Sequence, residues 1–276
     1  TPLYSSAASD VYKRQNYNSS NSNGWMGLGW NISTPSIDID TRWGTPTFDA
    51  GSESEIYTFA GEQLLLRNGS SFYLANKGNP ITRVTNALFY ERVEGAFNKI
   101  QRMGSSPSTY SWTITDKSGT VFTYGTADAI LRSNSGNIVR WMLKKVQDVN
   151  GNSMEYFYTT KSFAGSTVAG GKQIYLQRIE YTKHASLPSA YSVVFNRATA
   201  VPSSSGTFTR EDKSINARLG FKEIIDDVLE SIEVKYGATL VRKYKFIYKK
   251  GVFKKTLLDK IQQYDGAGLL LSLIHI

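Results

Sequence analysis

The 276-residue chain has no cysteine, which excludes disulfides, thiol catalysis and thiolate metal sites, and its 40% hydrophobic content suffices for a core without covalent staples. Its 17 Tyr, 13 Phe and 5 Trp, with abundant Thr, Ser, Val and Ile, are typical of a β-rich protein. The net charge of +9 raises a nucleic-acid interpretation, but no aromatic-basic signature accompanies the cluster Lys249–Lys255, so we expect solubilising lysines and no nucleic-acid partner.

The two ends differ in style from the rest of the chain. The strings SDVYKRQ and LSLIHI resemble translated sequencing-adapter read-through at the edges of shotgun assemblies. We therefore treat residues 1–15 and 271–276 as non-native extensions and exclude them from fold reasoning. Residues 16–270 are expected to form one β-rich domain of a protein that continues beyond both ends.

Closely spaced glycines lie between two tryptophans in Trp25–Ile32. A phosphate-binding loop needs a preceding strand and a following helix start, whereas Pro35 and the alternating Ile37 and Ile39 follow here. The pattern favours glycines that let the backbone pass close to packed indoles.

Alternating apolar and polar runs on both sides of short turns predict a series of antiparallel hairpins. The clearest is Trp141–Tyr158, in which the Asn-Gly pair predicts a turn with positive φ at both central residues. Ala198–Thr207 reads as a surface loop, and the pattern leaves helix or strand open for Lys222–Asp227. The other predicted strands are Glu55–Phe59, Gln63–Arg67, Phe72–Ala75, Ala87–Val93, Tyr110–Thr115, Thr120–Tyr124, Gln173–Thr182, Ala190–Asn196, Glu230–Tyr236 and Val241–Tyr248.

A short unit recurs along the chain. The form Leu-x-x-(Val/Ile)-x-(Asp/Tyr)-x-x-Gly occurs in Leu143–Tyr158, and Leu257–Leu270 repeats its Leu, Ile, Asp and Gly with two extra residues before Asp265, with Leu176–Tyr181 as a partial third copy. Such repeats imply stacked hairpins. The predicted fold is all-β, with antiparallel hairpins stacked into a large curved sheet and little helix.

The candidates for chemistry are weak. His184 lies in a connector without a recognisable nucleophile, and His275 lies in the excluded end. The pairs Glu53/Glu55 and Asp226/Asp227 are expected to be solvated rather than catalytic. We predict no catalytic, cofactor-binding or metal-ligating residues.

The turn Asp148–Asn152 has oxygen ligands at alternate positions, as a calcium loop does. The match fails because Ser153 stands where the loop needs glycine and Thr159 stands where it needs a bidentate glutamate. We therefore predict a turn that only reverses the chain.

Taken in order, the motifs give the chain a resemblance to the N-terminal domain of the virulence plasmid B protein (SpvB-like) family, shared with the B component of Tc toxin complexes and found ahead of RHS/YD-repeat regions. The family often has a basic residue just after the Pro35–Ile37 strand. This chain has Asp38 and Asp40 there instead, so Arg42 is the nearest basic candidate. The matching motifs are Tyr17–Ser19, Gly27–Ile32, Pro35–Ile37, Gly44–Asp49, Trp112, Tyr124–Gly125, Trp141–Tyr158, Leu176–Tyr181 and Arg242–Tyr248.

The resemblance implies a secreted, non-catalytic module of an RHS-type bacterial toxin. Its strands would help to form a shell that encloses or delivers a C-terminal effector, and the chain would enter YD-type repeats near Leu257. Its partners would be the remainder of its own chain and other toxin-complex subunits, without a cofactor and without an integral membrane segment in this fragment. The alternative is a cell-surface carbohydrate-binding or adhesive β-protein, since Trp and Tyr can stack on sugar rings.

Overall fold

A computed structural model describes residues 16–19, 22–74, 81–165, 170–185 and 187–276. Residues 1–15, which we expect to be a non-native extension, lie outside this described part. Within it the secondary structure consists of strands and one 3-10 turn, Val252–Lys254, so the all-β prediction is confirmed. No helix of the described residues has the length and apolarity that a membrane crossing requires.

The strands are numbered in chain order. They are β1 Asn16–Tyr17, β2 Asn23–Gly24, β3 Gly27–Leu28, β4 Trp30–Asn31, β5 Ser36–Ile39, β6 Ser52–Glu53, β7 Tyr57–Phe59, β8 Glu62–Asn68, β9 Ser71–Tyr73, β10 Ile81–Thr82, β11 Leu88–Glu91, β12 Lys99–Met103, β13 Ser111–Thr115, β14 Val121–Tyr124, β15 Ile130–Arg132, β16 Ile138–Gln147, β17 Asn152–Ser162, β18 Gly171–His184, β19 Tyr191–Ala198, β20 Ala200–Ser203, β21 Gly206–Thr209, β22 Ser214–Asn216, β23 Lys222–Ile225, β24 Val228–Tyr236, β25 Thr239–Lys250, β26 Thr256–Asp265 and β27 Leu270–His275.

The chain divides into two compact units. Unit 1 contains the described residues within 16–33, 176–215 and 223–276, and unit 2 contains those within 34–175 and 216–222.

Eight strands of unit 2 close into an antiparallel ring. The pairing runs from β5 through β7, β8, β11, β12, β13 and β14 to β16, and β16 pairs back with β5. Closure leaves these strands without a free edge, which removes a surface that could pair with another chain. The hairpin patterns predicted strands at β7, β8, β11, β13, β14 and β16, but they predicted neither β12 nor the closure.

The inner face of the ring carries aromatic side chains at alternate strand positions. Tyr57 lies at the centre, with ring centroids 5.0 Å from Trp112, 5.5 Å from Trp141 and 5.8 Å from Phe89. All four side chains are buried. The Trp141 indole N–H donates to the Tyr110 carbonyl at 2.8 Å, so its polar edge is satisfied inside the core.

Unit 1 is built on a run of antiparallel pairs that joins β18, β19, β24, β25, β26 and β27. Its core includes Phe195, Ile232, Phe246 and Tyr248. The Tyr248 hydroxyl donates to the Leu229 carbonyl at 2.7 Å. The segment 271–276, which the sequence analysis sets aside, lies mostly in β27, and the side chains of β27 are exposed.

Several local predictions need correction. Ala198–Thr207 is not a surface loop, because β20 pairs with β21 and Val201 is buried. Lys222–Ile225 forms a strand, which resolves the open choice over Lys222–Asp227 for its first four residues. The strand β12 has no counterpart among the predicted strands.

The predicted hairpin at Trp141–Tyr158 is confirmed by the pairing of β16 with β17, but its turn differs from the prediction. Of the two central residues only Gly151 has positive φ, at 83°. The Asp148 carboxylate accepts the N–H groups of Asn150 and Asn152 at 3.0 and 2.8 Å. This side chain holds the turn, so the second left-handed residue is not needed.

The turns at Asp116 and Asp265 have the same construction. Asp116 accepts the N–H groups of Ser118 and Thr120, at 2.8 and 3.0 Å. Asp265 accepts those of Ala267 and Leu269, at 3.0 and 2.7 Å. In all three turns an aspartate closes the hairpin by accepting backbone hydrogen bonds.

We expect Asp148→Ala to lower the free energy of unfolding by about 1–2 kcal/mol, since two backbone N–H groups lose their acceptor. Urea unfolding monitored by tryptophan fluorescence measures the change. The control is Val149→Ala in the same turn, where the side chain is 71% exposed and we expect a loss below about 0.5 kcal/mol. Equal losses in the two variants would contradict the role given to the carboxylate.

Candidate interaction site

The structure places the weak candidates for chemistry in structural roles or on the surface. His184 is exposed at the end of β18. The acidic pairs, expected to be solvated, are instead buried, with Glu53 2% and Asp227 4% exposed. The expectation that these acidic pairs are solvated is wrong, because the arginines that pair with Glu53 and Asp227 in the core are distant in sequence.

Asp227 illustrates this burial in unit 1. Its carboxylate accepts a hydrogen bond from the Arg197 guanidinium at 2.5 Å and another from the Thr199 hydroxyl at 3.0 Å. Its backbone carbonyl accepts from Arg210 at 3.0 Å. These contacts fix the residues that precede β24.

The basic cluster Lys249–Lys255 is partly neutralised by neighbouring acids of unit 1. Lys249 lies 2.9 Å from Asp259, and Glu211 forms ion pairs with both Lys250 and Lys254. The hydrogen bonds from these two lysines lower the pKa of Glu211 to about 2. The cluster is therefore not a free row of cations.

A buried ion pair lies in unit 2. Arg102 on β12 is fully buried and donates through both terminal nitrogens to the carboxylate of Glu53, with a distance of 2.9 Å for the Nη1 to Oε2 bond. Glu53 also accepts the Val84 N–H at 3.2 Å and lies 3.7 Å from the Arg83 guanidinium. The forked geometry matches a planar guanidinium to a carboxylate.

Aromatic rings surround this pair. The Arg102 guanidinium carbon lies 3.9 Å from the centroid of Tyr110, 5.2 Å from Phe89 and 5.8 Å from Tyr57. Burial raises the pKa of the Tyr110 hydroxyl and, more strongly, that of Tyr57. These phenols stay neutral, and the arrangement supports a rigid core rather than proton transfer.

A pocket of about 440 Å³ opens elsewhere in unit 2. Trp43, Leu74 and Ile56 supply apolar lining, while Glu55, Gln63 and Arg92 supply polar groups. Its volume lies in the range of small-molecule sites, roughly 300–1,000 Å³. No sequence motif marks this pocket, because its lining residues are spread from 40 to 92.

Asp40 lies at the same pocket. The Arg42 guanidinium binds its carboxylate through two nitrogens, with Nε at 2.9 Å from Oδ1 and Nη2 at 2.7 Å from Oδ2. Gln63 donates to Oδ2 at 2.8 Å. The hydrogen bond from Arg42 lowers the pKa of Asp40 from 3.8 to about 2. Asp38 pairs in turn with Arg140.

The lowered pKa predicts a pH dependence of stability. A carboxyl whose folded pKa lies below its unfolded value stabilises the fold above about pH 4 and loses that contribution as the pH falls to about 2. We expect the free energy of unfolding of the unsubstituted chain to fall more between pH 5 and pH 2 than that of Asp40→Asn, by on the order of 1 kcal/mol. Parallel curves in urea titrations across this range would contradict the assignment.

The described residues contain no group of three or more His, Cys, Asp or Glu side chains that could hold a metal ion. The Asp148 turn is occupied by its own backbone N–H groups and by the Asn152 side chain, at 2.8 Å.

The chain belongs to the Salmonella virulence plasmid 65kDa B protein (SpvB) family, whose model matches residues 2–205. Solved structures share the fold. The N-terminal domain of the effector protein SpvB from Salmonella typhimurium strain LT2 is 18% identical with a TM-score of 0.72, over 90% of this chain and 92% of that chain. A comparison with curated proteins gave no match.

Two larger toxin assemblies contain a similar domain. A TcdB2-TccC3-TEV structure is 18% identical with a TM-score of 0.74, and the Photorhabdus luminescens Tc holotoxin pore is 20% identical with a TM-score of 0.72. Each alignment covers 95% of this chain. The chain spans only 15% and 14% of the length of those chains.

Proposed function

We propose that the chain is a non-catalytic structural module of a secreted RHS-type toxin. Its strands help to form a β-strand shell that encloses or delivers a C-terminal effector. Its partners are the remainder of its own chain and other subunits of a toxin complex. The family name and the toxin assemblies that contain a similar domain support this proposal.

The observation that carries the proposal is the run of antiparallel strands from β24 to β26 in unit 1. These strands are up to 12 residues long, and the turn after β26 is closed by the aspartate of the recurring unit. Hairpins that repeat in this way extend a sheet by adding further copies of themselves. A shell requires a sheet that is extended in this way by the addition of hairpins.

The buried charged groups support a structural rather than a catalytic role. Glu53 is bound by Arg102, and Asp227 is bound by Arg197 and Thr199. Asp212 accepts the Thr256 N–H at 2.8 Å and its hydroxyl at 2.7 Å. These carboxylates are saturated by their own chain, which makes them suited to holding strands together.

Sequencing the complete gene tests the proposal. We expect YD repeats and a variable effector region downstream of residue 270. A stop codon directly after Leu270 would contradict it. The alternative of a surface adhesin is less favoured, since family membership places the chain with a virulence plasmid protein.

A further inference from the structure

Trp43 at the rim of the unit 2 pocket differs from the other tryptophans. Its side chain is 75% exposed, whereas Trp25, Trp112 and Trp141 are buried and Trp30 is half-buried. Among the described residues, no aromatic ring or cation packs on its indole face. An exposed indole is costly to leave in water, and its flat apolar face suits a flat apolar partner.

Glu55 places an unused acceptor at the same pocket. Its side chain is 93% buried (7% exposed), and Oε1 accepts from Thr47 N, Phe48 N and the Ser54 hydroxyl at 2.9, 2.7 and 2.8 Å. The other oxygen, Oε2, accepts no hydrogen bond from the described residues, and Glu55 lines the pocket. One oxygen therefore holds the carboxylate in place while the second is available to a ligand.

Arg92 supplies the complementary donor. Its Nη1 donates to Gln63 Oε1 at 2.8 Å, and the remaining guanidinium nitrogens of this exposed side chain have no partner among the described residues. The Gln63 amide donates to Asp40, which is already bound by Arg42. Arg92 is thus oriented by a chain of hydrogen bonds that ends in a paired carboxylate.

The charges around the pocket select the class of ligand. The negative charge of Glu55 repels an anionic ligand, and the positive charge of Arg92 repels a cationic ligand. Together they favour a neutral molecule whose hydroxyls can both donate to a carboxylate and accept from a guanidinium. The exposed indole adds an apolar surface against which the C–H face of a sugar ring can lie.

We propose that this pocket binds a neutral saccharide, with Trp43 as the stacking platform and Glu55 Oε2 and Arg92 as the hydroxyl-binding groups. A volume of about 440 Å³ accommodates one or two sugar rings. Saccharide binding by this pocket is independent of a role in a toxin shell, because a shell module can carry a glycan site on its surface.

The test exposes the full chain to a printed array of neutral and acidic glycans and measures each hit by titration of tryptophan fluorescence. Trp43 dominates the fraction of that signal accessible to iodide, since it is the most exposed of the 5 tryptophans. We expect binding of at least one neutral glycan, with protection of Trp43 from iodide quenching.

Two variants assign the binding to the pocket. Trp43→Ala and Glu55→Gln are expected to weaken it by roughly tenfold or more, and Trp43→Phe is expected to retain most of it. Glu55→Gln keeps an acceptor at the Oε1 position, and a urea titration verifies that it folds. The matched control is Phe253→Ala, an aromatic side chain 88% exposed in unit 1, which should bind as the unsubstituted chain does.

An array without a neutral hit would overturn the proposal. Binding that is unchanged in both pocket variants, or that is restricted to acidic glycans or peptides, would overturn it as well. A failed array leaves the gene structure downstream of residue 270 unaffected, so the two proposals fail separately.

Discussion

Replacing Arg102 with methionine is expected to lower the free energy of unfolding by about 3 kcal/mol or more. The change leaves the Glu53 carboxylate, 2% exposed, with the Val84 N–H and the Arg83 guanidinium at 3.7 Å as its remaining polar partners. It also removes the cation that Tyr110 and Phe89 surround. Urea unfolding at neutral pH measures the loss.

The double variant Arg102→Met/Glu53→Gln separates the ion pair from simple loss of packing. Removing both charges is expected to recover at least half of the lost stability, because no isolated carboxylate remains in the core. A double-mutant cycle with Glu53→Gln gives the coupling energy. Additive losses, or a loss below about 1 kcal/mol for Arg102→Met, would contradict the role assigned to the pair.

Gly125→Ala is the second substitution with a large expected effect. A Cβ at Gly125 would lie 2.0 Å from Cδ1 and 2.8 Å from Cγ of Trp141, whose side chain is 1% exposed and fixed by its hydrogen bond to Tyr110. The indole has no free space to move into in a close-packed core, so we expect Gly125→Ala to lower the free energy of unfolding by about 3 kcal/mol or more.

The matched control is Gly69→Ala in the same unit. Gly69 has φ of 63° against 72° at Gly125, and a Cβ there would meet nothing within 4 Å. Only the cost of a left-handed alanine remains, about 1–2 kcal/mol. Thermal unfolding measures the loss of stability in both variants. Equal losses would contradict the packing explanation.

The hairpins were predictable because their information is local. Alternation and turn residues placed Trp112, Ile114, Phe122 and Tyr124 on one face, and the register of β13 with β14 confirms this arrangement. The prediction that the closely spaced glycines near Trp30 lie against indoles is wrong, because a Cβ at Gly29 would meet the ring of Tyr17 at 2.6 Å and a Cβ at Gly27 would meet the Thr256 carbonyl oxygen at 2.6 Å.

Features that depend on distant residues were not predictable from the pattern. β12 alternates as Lys-Ile-Gln-Arg-Met, so its inward Arg102 breaks the apolar signal of a strand. Its partner Glu53 lies 49 residues away, and sequence reasoning therefore assigned that glutamate to the solvent. Ring closure between β16 and β5 likewise pairs Trp141 with Ile37. These residues are far apart in the sequence, so a local sequence pattern cannot predict their pairing.

The pocket shows a similar limit. The abundance of tryptophan suggested sugar stacking for the whole chain, but the pattern could not separate Trp43 from the buried Trp112 and Trp141. That separation depends on tertiary packing. The same packing turns Glu55 from an expected surface residue into a buried side chain that lines a cavity.

Protease protection in the complete gene product tests the proposed shell function most directly. The full-length protein is incubated with a nonspecific protease under native conditions, and the surviving fragments are identified by mass spectrometry. We predict that the region C-terminal to this chain includes an effector segment that survives as long as the β-strand module stays folded. Degradation of that segment at the rate of the isolated effector, with residues 16–270 still intact, would contradict the account.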